Sequence, residues 1–434
     1  MAREMKDSGI EWIGEIPAGW KVLPAQRAFR EIKTKNTDGN VQNALQFKFG
    51  EIIPKKNFDA DSDDYVADTI TNYTIVEPGT VMINGLNLNY DFKTLRTGLV
   101  KEKGVITSAY LALWPNQDLI TPEYATYLFK GYETKKALHN MGSGIRLTLG
   151  YKELKKQPIL FPSIDEQKQI VAYLDEECDH IDSVIEQTRA SIEEYKKLKQ
   201  AVITHAVTKG IRPDRQMKDS GVRWIGKIPD KWSVSSLNRG IELIQTGPFG
   251  SQLHADEYVS NEIVVVNPAN ISNGEIIPDN SCTITKSKAY ELSRHILKRG
   301  DIVFGRRGEM GRCACVIDDK RDYICGTGCI QIRLNDKIVP AYLSYYLQNP
   351  CIKQYLEIHS VGTTMQNLNT SIVGNIPILL LDINEQEEIV SYLDRKKSEI
   401  DQLIFKKEKV VEELDSYKKS LIYEYVTGKK EVPA

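Results

Sequence analysis

What most constrains this chain is that it is written twice. Residues 5–20 read MKDSGIEWIGEIPAGW and residues 217–232 read MKDSGVRWIGKIPDKW, identical at eleven of sixteen positions at an offset of 212. Pro158–Asp182 matches Pro377–Asp401 at 13 of 25 positions, at an offset of 219. Two matches in the same order at nearly the same offset mark a tandem duplication of a unit about 210 residues long. Between them, residues 21–140 and 233–360 share little beyond a faint pattern. Constant ends with divergent middles describe one scaffold presenting two different surfaces.

Each copy closes on a long helical pattern. The first opens at Ser163-Ile-Asp-Glu166, a capping box in which serine and glutamate satisfy exposed backbone amides reciprocally; the second has Asp382-Ile-Asn-Glu385 there. Apolar residues follow in heptad register at Leu174, Ile181, Ile185, Ile192, Tyr195, Val202 and Ala206. Adding 219 gives Leu393, Ile400, Ile404, Val411, Leu414, Leu421 and Tyr425, all apolar, which predicts a coiled-coil seam on both helices. The polar interruptions coincide too, Lys199 with Lys418 and Thr188 with Lys407. About 44 residues at ~1.5 Å each make a rod of roughly 65 Å. Such helices pack either on their own domains or on each other. A duplicated unit associates most readily through matching surfaces, which predicts an antiparallel pair.

Strand-like runs at Gly79–Asn84, Val105–Leu113, Glu262–Val266, Asp301–Phe304 and Ile330–Leu334 lie in the variable parts, with helical stretches at Pro122–Leu138 and Pro340–Glu357. The expected fold is α/β (mixed α+β). Two recognition domains, residues 1–162 and 211–381, are separated by a pair of long antiparallel coiled-coil helices, residues 163–210 and 382–428, in a pseudo-two-fold tandem repeat.

Lys plus Arg number 57 and Asp plus Glu 59, for a net charge of −2. That excludes a uniformly basic nucleic-acid coat and an acidic disordered tail, but not a local basic face. The longest apolar stretches, such as Asn375–Leu381, fall far short of the ~20 residues a membrane span needs, and Met1–Asp7 lacks a signal-peptide core. Seven cysteines, all at or after Cys178, are too lopsided for a disulfide framework. The chain reads as cytoplasmic, with reduced thiols and no membrane partner.

Three motifs suggest chemistry and are set aside. Gly221–Ile228 nearly spells a phosphate loop, but Ile228 replaces the magnesium-binding hydroxyl and the duplicate carries Glu15 where the lysine belongs. Trp12, Trp20, Trp224 and Trp232 are instead expected to anchor these segments by packing. Asn267-Pro-Ala-Asn270 and Asn349-Pro-Cys-Ile352 echo the adenine-methyltransferase loop but lack the aromatic residue that stacks on a flipped base. Cys313, Cys315, Cys325 and Cys329 have the count for a four-sulfur zinc site; the first copy has no counterpart, so buried thiols on neighbouring strands are expected. No catalytic and no metal residue is assigned.

Lys286–Arg312 does stand out, with eight bases against three acids. Arg306, Arg307 and Arg312 sit on a glycine-rich loop directly after the strand Asp301–Phe304, where arginine suits guanine edges or phosphates. The corresponding stretch of the first copy, Gly85–Arg96, carries Asn87, Asn89, Lys93 and Arg96; its amides favour adenine. Two loops just before the scaffold add Ser143 and Arg146, and Thr363, Thr364, Gln366 and Asn367. Gln245–Gln252, with Ser251 and Gln252, opens the second variable domain and brings backbone amides within reach of a phosphate.

Together these residues resemble the specificity (S) subunit of type I restriction–modification systems, over essentially the whole chain. The resemblance rests on the duplicated MKDSG…WIG openings and on Gly247-Pro-Phe-Gly-Ser-Gln-Leu253. It rests also on Arg299–Phe304 followed by Arg307-Gly-x-x-Gly-Arg312, and on the Glu-Gln…Ile-Val…Tyr-Leu-Asp helix starts. It implies two target-recognition domains, each reading half of a bipartite asymmetric site in double-stranded DNA, with the helix pair setting the spacer. It further implies a non-catalytic chain without cofactor. Two modification subunits methylate adenine with S-adenosylmethionine, and restriction subunits using ATP and magnesium can join. The first domain departs from the pattern, with Asn84-Gly-Leu-Asn in place of the basic loop. A reading from another class stays open: a coiled-coil adaptor that scaffolds two copies of a protein partner and binds no DNA.

Overall fold

The computed structural model describes residues 3–48, 50–55, 70–88, 96–144, 147–317, 322–360 and 367–433. The chain divides into two compact units, Met1–Arg189 with Glu408–Ala434, and Ala190–Lys407. Each unit thus takes the first part of one long helix and the last part of the other.

In the first unit Phe29–Glu31 (β1), Val81–Ile83 (β2), Thr97–Leu99 (β3) and Leu111–Pro115 (β4) form an antiparallel sheet in the order β1-β4-β2-β3. Pro122–Thr134 (α1) follows, then Ile164–Lys209 (α2). In the second unit Ile241–Thr246 (β5), Ile302–Gly305 (β6), Cys313–Cys315 (β7) and Cys329–Leu334 (β8) repeat the arrangement as β5-β8-β6-β7, again antiparallel. Pro340–Leu347 (α3), Pro350–His359 (α4) and Ile383–Val426 (α5) complete it. Two middles with almost no common sequence therefore build one topology. What they share is burial: β2 and β6 are covered along their whole length, so each is a short continuous apolar run. The second unit adds a five-stranded sheet in which Ile263–Val266 runs parallel to Tyr323–Cys325.

Three expected elements are split. Pro122–Leu138 breaks after Thr134, and Ala137–Met141 follows a left-handed Lys136. Val105–Leu113 breaks into Gly104–Ile106 and β4, because Thr107 and Tyr110 close a turn between them. Pro340–Glu357 breaks at Pro350, which has no amide to donate; Asn349 restarts the helix by accepting from the Cys351 amide at 2.9 Å.

Within each unit the long helices pair antiparallel along the expected seam. In the first, Ile181 and Ile185 share a core with Leu421 and Tyr425; in the second, Ile192 packs with Ile400 and Ile404. The seam lysines are answered across the pair, Lys418 by Asp182 and Lys199 by Asp401 at 2.6 Å. Lys407 lies over the Tyr195 ring, 5.7 Å from its centroid.

The Glu-Gln pair at each helix start differs from a capping box. Ser163 Oγ accepts from the Glu166 amide at 3.2 Å, but the Glu166 carboxylate turns away to Trp20 Nε1 at 3.0 Å and Arg3 at 2.6 Å. Glu385 meets Arg215 in the same manner. The adjacent glutamines are fully buried. Gln167 accepts from the Thr121 amide and donates to the carbonyls of Leu119 and Pro162. Gln386 does likewise with Val339, Lys337 and Leu381. One tyrosine per copy reaches a helix carboxylate, Tyr127 to Asp175 at 2.7 Å and Tyr345 to Asp394 at 2.6 Å. A second donates to a helix-end carbonyl, Tyr124 to Val426 and Tyr342 to Val207. These bonds fix each helix to its domain, and the repeated residues are the ones that make them.

The opening segments pack as expected, with Trp20 and Trp232 each 1% exposed. Each is tied to a helix end by a lysine: Lys429 Nζ donates to the Glu15 carbonyl at 2.6 Å, and Lys209 Nζ to the Ile225 carbonyl at 2.8 Å.

Candidate nucleic-acid interface

Antiparallel register decides which loops meet. In the second unit β5 ends opposite the start of β8, and β8 starts opposite the end of β6. The loop after β5 (residues 247–252), the turn before β8 (326–328) and the loop from β6 to β7 (306–312) therefore leave the sheet at one end. Hydrogen bonds close the cluster: Gly247 N to Cys329 O at 2.9 Å, Arg306 N to Gly328 O at 2.8 Å, and Leu368 N to Arg306 O at 3.0 Å. Gly247 has to be glycine, since a Cβ there would lie 1.9 Å from the Gly326 carbonyl oxygen.

The three arginines have different roles. Arg306 is half-buried and spends its Nε on the Leu368 carbonyl at 3.0 Å, tying the loop before the scaffold to the basic loop. Burial, then the charge of Arg307, pull its guanidinium below the ordinary value. Arg307 is exposed, and among the described residues neither it nor Arg306 pairs with a carboxylate. Arg312 is occupied: Nε and Nη2 donate to Glu309 at 3.1 and 3.0 Å, and Glu309 also takes Lys353 of α4 at 3.0 Å. Lys353 and then Arg312 hold the Glu309 carboxyl below its usual range. Arg312 thus braces the loop that presents Arg307. Ser251 and Gln252 are exposed on the neighbouring loop. The side-chain oxygen of Asn367 is buried and accepts no hydrogen bond among the described residues. Thr363, Thr364 and Gln366 lie outside the described residues.

The first unit builds the same sheet end from other side chains. Leu149 N donates to Gly85 O at 2.9 Å and Leu88 N to Leu147 O at 3.1 Å, so the loop after β2 and the loop before the scaffold zip together. Leu149 stands to Gly85 as Leu368 stands to Arg306. Asn87 is exposed with φ of 51°, a left-handed conformation asparagine tolerates. Ser143 is exposed and donates to Glu153 at 3.0 Å. Asn89, Lys93 and Arg146 lie outside the described residues.

Arg96 corrects the expectation. It is 1% exposed and cannot reach a groove. Its Nη1 donates to the carbonyls of Asn84 and Leu86 at 3.0 and 2.8 Å, and its amide donates to Glu133 Oε2 at 2.8 Å. Burial raises the Glu133 carboxyl to about 7, with Arg96 pulling the other way. Arg96 shapes the loop that carries Asn87. Charge type alone did not distinguish it from a surface arginine; its place one residue before β3, inside the sheet, does.

Lys33, exposed beside Glu31, and Lys35, which donates to the Asn72 carbonyl at 3.0 Å, follow β1 at the same end and were missed. Their signal is register rather than sequence, because they occupy the position that Gly247–Gln252 takes after β5. The four late cysteines lie on or beside β7 and β8, with burial raising the thiols of Cys313 and Cys329 to about 12 and of Cys315 to about 11. Among the described residues no three His, Cys, Asp or Glu side chains gather as metal ligands.

A family model, the type I restriction modification DNA specificity domain, matches residues 48–194 and 229–413. The chain is 25% identical to the type I restriction enzyme MjaVIII specificity subunit of Methanocaldococcus jannaschii, over 95% of this chain and 93% of that one. It is 26% identical to the EcoBI specificity subunit of Escherichia coli over 57% of this chain and 53% of the other. Among solved structures, a chain from a type I R-M system described for its complex assembly and conformational transition superimposes with a TM-score of 0.70 at 15% identity, over 96% of this chain and 99% of that one. The HsdS subunit from Thermoanaerobacter tengcongensis does so with a TM-score of 0.52 at 15% identity, over 96% and 98%.

Proposed function

The chain belongs to the type I restriction–modification DNA specificity family, and from that premise we propose that each of its two units reads one half of a bipartite, asymmetric site in double-stranded DNA. The observation that carries this is the shared sheet end, armed with Arg306 and Arg307 in one unit and with Asn87 in the other. Arginine pairs bidentately with guanine and asparagine with adenine, so unlike loops on like frames select unlike sequences. Backbone amides and lysines there fix register on the phosphates.

The helix pair, shared between units, sets the gap between half-sites. The duplicated openings and helix starts offer two equal sockets, matching two adenine-methylating modification subunits; restriction subunits can join the complex. The chain itself is non-catalytic. S-adenosylmethionine, ATP and magnesium belong to its partners, in the cytoplasm with the DNA.

The test is to map methylated adenines genome-wide in cells expressing this chain with its modification subunit. A single bipartite motif is the expected result. Methylated adenines that share no motif would leave the adaptor reading in its place.

A further inference from the structure

The loop after β5 holds a feature that base reading by Arg307 does not use. Phe249 is 63% exposed, in a unit whose other phenylalanine beside the site, Phe304, is fully buried. A single exposed apolar residue is by itself unremarkable on a protein surface. Its backbone is what sets it apart. The Phe249 amide donates to Gln252 Oε1 at 3.0 Å, and its carbonyl accepts from the amides of Gln252 and Leu253 at 2.8 and 3.3 Å. Pro248 before it and Leu253 after it are buried. The ring is therefore held out on a rigid turn rather than on a loose loop.

Two neighbours indicate what it meets. Gly250 is next in sequence, and a Cβ there would touch nothing within 4 Å; its φ also lies outside the left-handed region. Nothing within the chain requires glycine at this position, so its lack of a side chain leaves room for an incoming surface to approach the backbone closely. Gly247 donates to Cys329 and Arg306 to Gly328, so the start of β8 joins this loop to the Arg306–Arg307 pair, which meets no carboxylate among the described residues. An anionic surface drawn to those arginines arrives beside the ring.

We infer that Phe249 is a wedge, stacking on a base step within the half-site read by the second unit and partly unstacking it. Duplex DNA offers the matching chemistry, since apolar wedges open base steps and every base presents a face for stacking. The inference rests on the DNA-reading function proposed above. It adds a contact that selects for deformable steps rather than for a hydrogen-bonding edge.

The test uses the complex of the full chain with its modification subunit and duplexes carrying the mapped site, with 2-aminopurine placed at successive positions. Wild type should brighten at a position that goes dark in Phe249→Ala, and Phe249→Ala should bind on the order of 10-fold more weakly. Phe249→Tyr should restore both. The slope of affinity against salt should be unchanged in Phe249→Ala, because stacking releases no counterions. Equal affinity of Phe249→Ala and wild type, or a 2-aminopurine pattern that does not depend on residue 249, would overturn the wedge while leaving DNA reading intact. Failure of wild type to bind the duplex would overturn both.

Discussion

Among the described residues the second unit leaves Arg306 and Arg307 at its sheet end without a carboxylate, whereas the first unit has Gly85 and Leu86 in their places, buries Arg96 beneath the loop and leaves Asn87 at the surface. The frames are alike down to the leucine amide that ties each pair of loops. The bracing arginine keeps its place: the Asn84 amide donates to the Arg96 carbonyl as the Gly305 amide does to that of Arg312, and both side chains hold their loops. What differs is the outward pair, Arg306 and Arg307 in one unit and Gly85 and Leu86 in the other. A duplicated fold can thus diverge in target without altering its sheet, because the loops at one sheet end carry no part of the scaffold's wiring.

Four measurements press on this comparison. The largest effect should come from Arg306→Ala with Arg307→Ala, which should weaken binding to the mapped duplex on the order of 100-fold and flatten its salt dependence, while assembly with the modification subunit is retained. Equal affinity at matched salt would remove the second unit's charge from the comparison.

Next comes pH. The Glu133 carboxyl is raised from its model-peptide value of 4.5 to about 7 by burial, so the folded first unit holds its proton longer than the unfolded chain does. Stability from this group is greatest below the lower value and is lost as pH rises from there through about 7, about 3 kcal/mol in all. Glu133→Gln should therefore gain in melting temperature over wild type as pH climbs from 5 to 8. A difference that stays constant with pH would refute that assignment.

Arg96→Met should follow, weakening binding on the order of 10-fold through the first half-site. The loss should vanish on a duplex whose half-site for that unit is scrambled and persist when the other half is scrambled. The smallest effect tests sameness rather than difference. Lys199→Ala and Lys418→Ala remove equivalent partly exposed ion pairs and should each cost under about 1 kcal/mol in urea unfolding, by nearly equal amounts. Unequal losses would show that the two halves of the helix pair are not interchangeable.

Heptad spacing disclosed the seam because burial there follows one period along one axis; the aspartates that answer the two coinciding lysines, Asp401 and Asp182, come only from the structure. The basic loop was legible for a similar reason: glycines and arginines directly after an apolar run mark a strand end. Arg96, Lys33 and Phe249 were not legible. Whether a side chain faces water there depends on which strands are neighbours, and no local pattern encodes that. Glu166 was misread for a subtler reason, since a capping box and a tie to Trp20 need the same glutamate at the same spacing.

The division of the chain also bears on how it is made. The first unit is incomplete without Glu408–Ala434, where Tyr423 bonds the Trp12 carbonyl and Lys429 that of Glu15, whereas Ala190–Lys407 is one continuous stretch. During synthesis every residue of the second unit is joined before the last helix turns of the first are added. The part translated first is the part finished last, and until then the apolar face of its long helix must be kept from other chains.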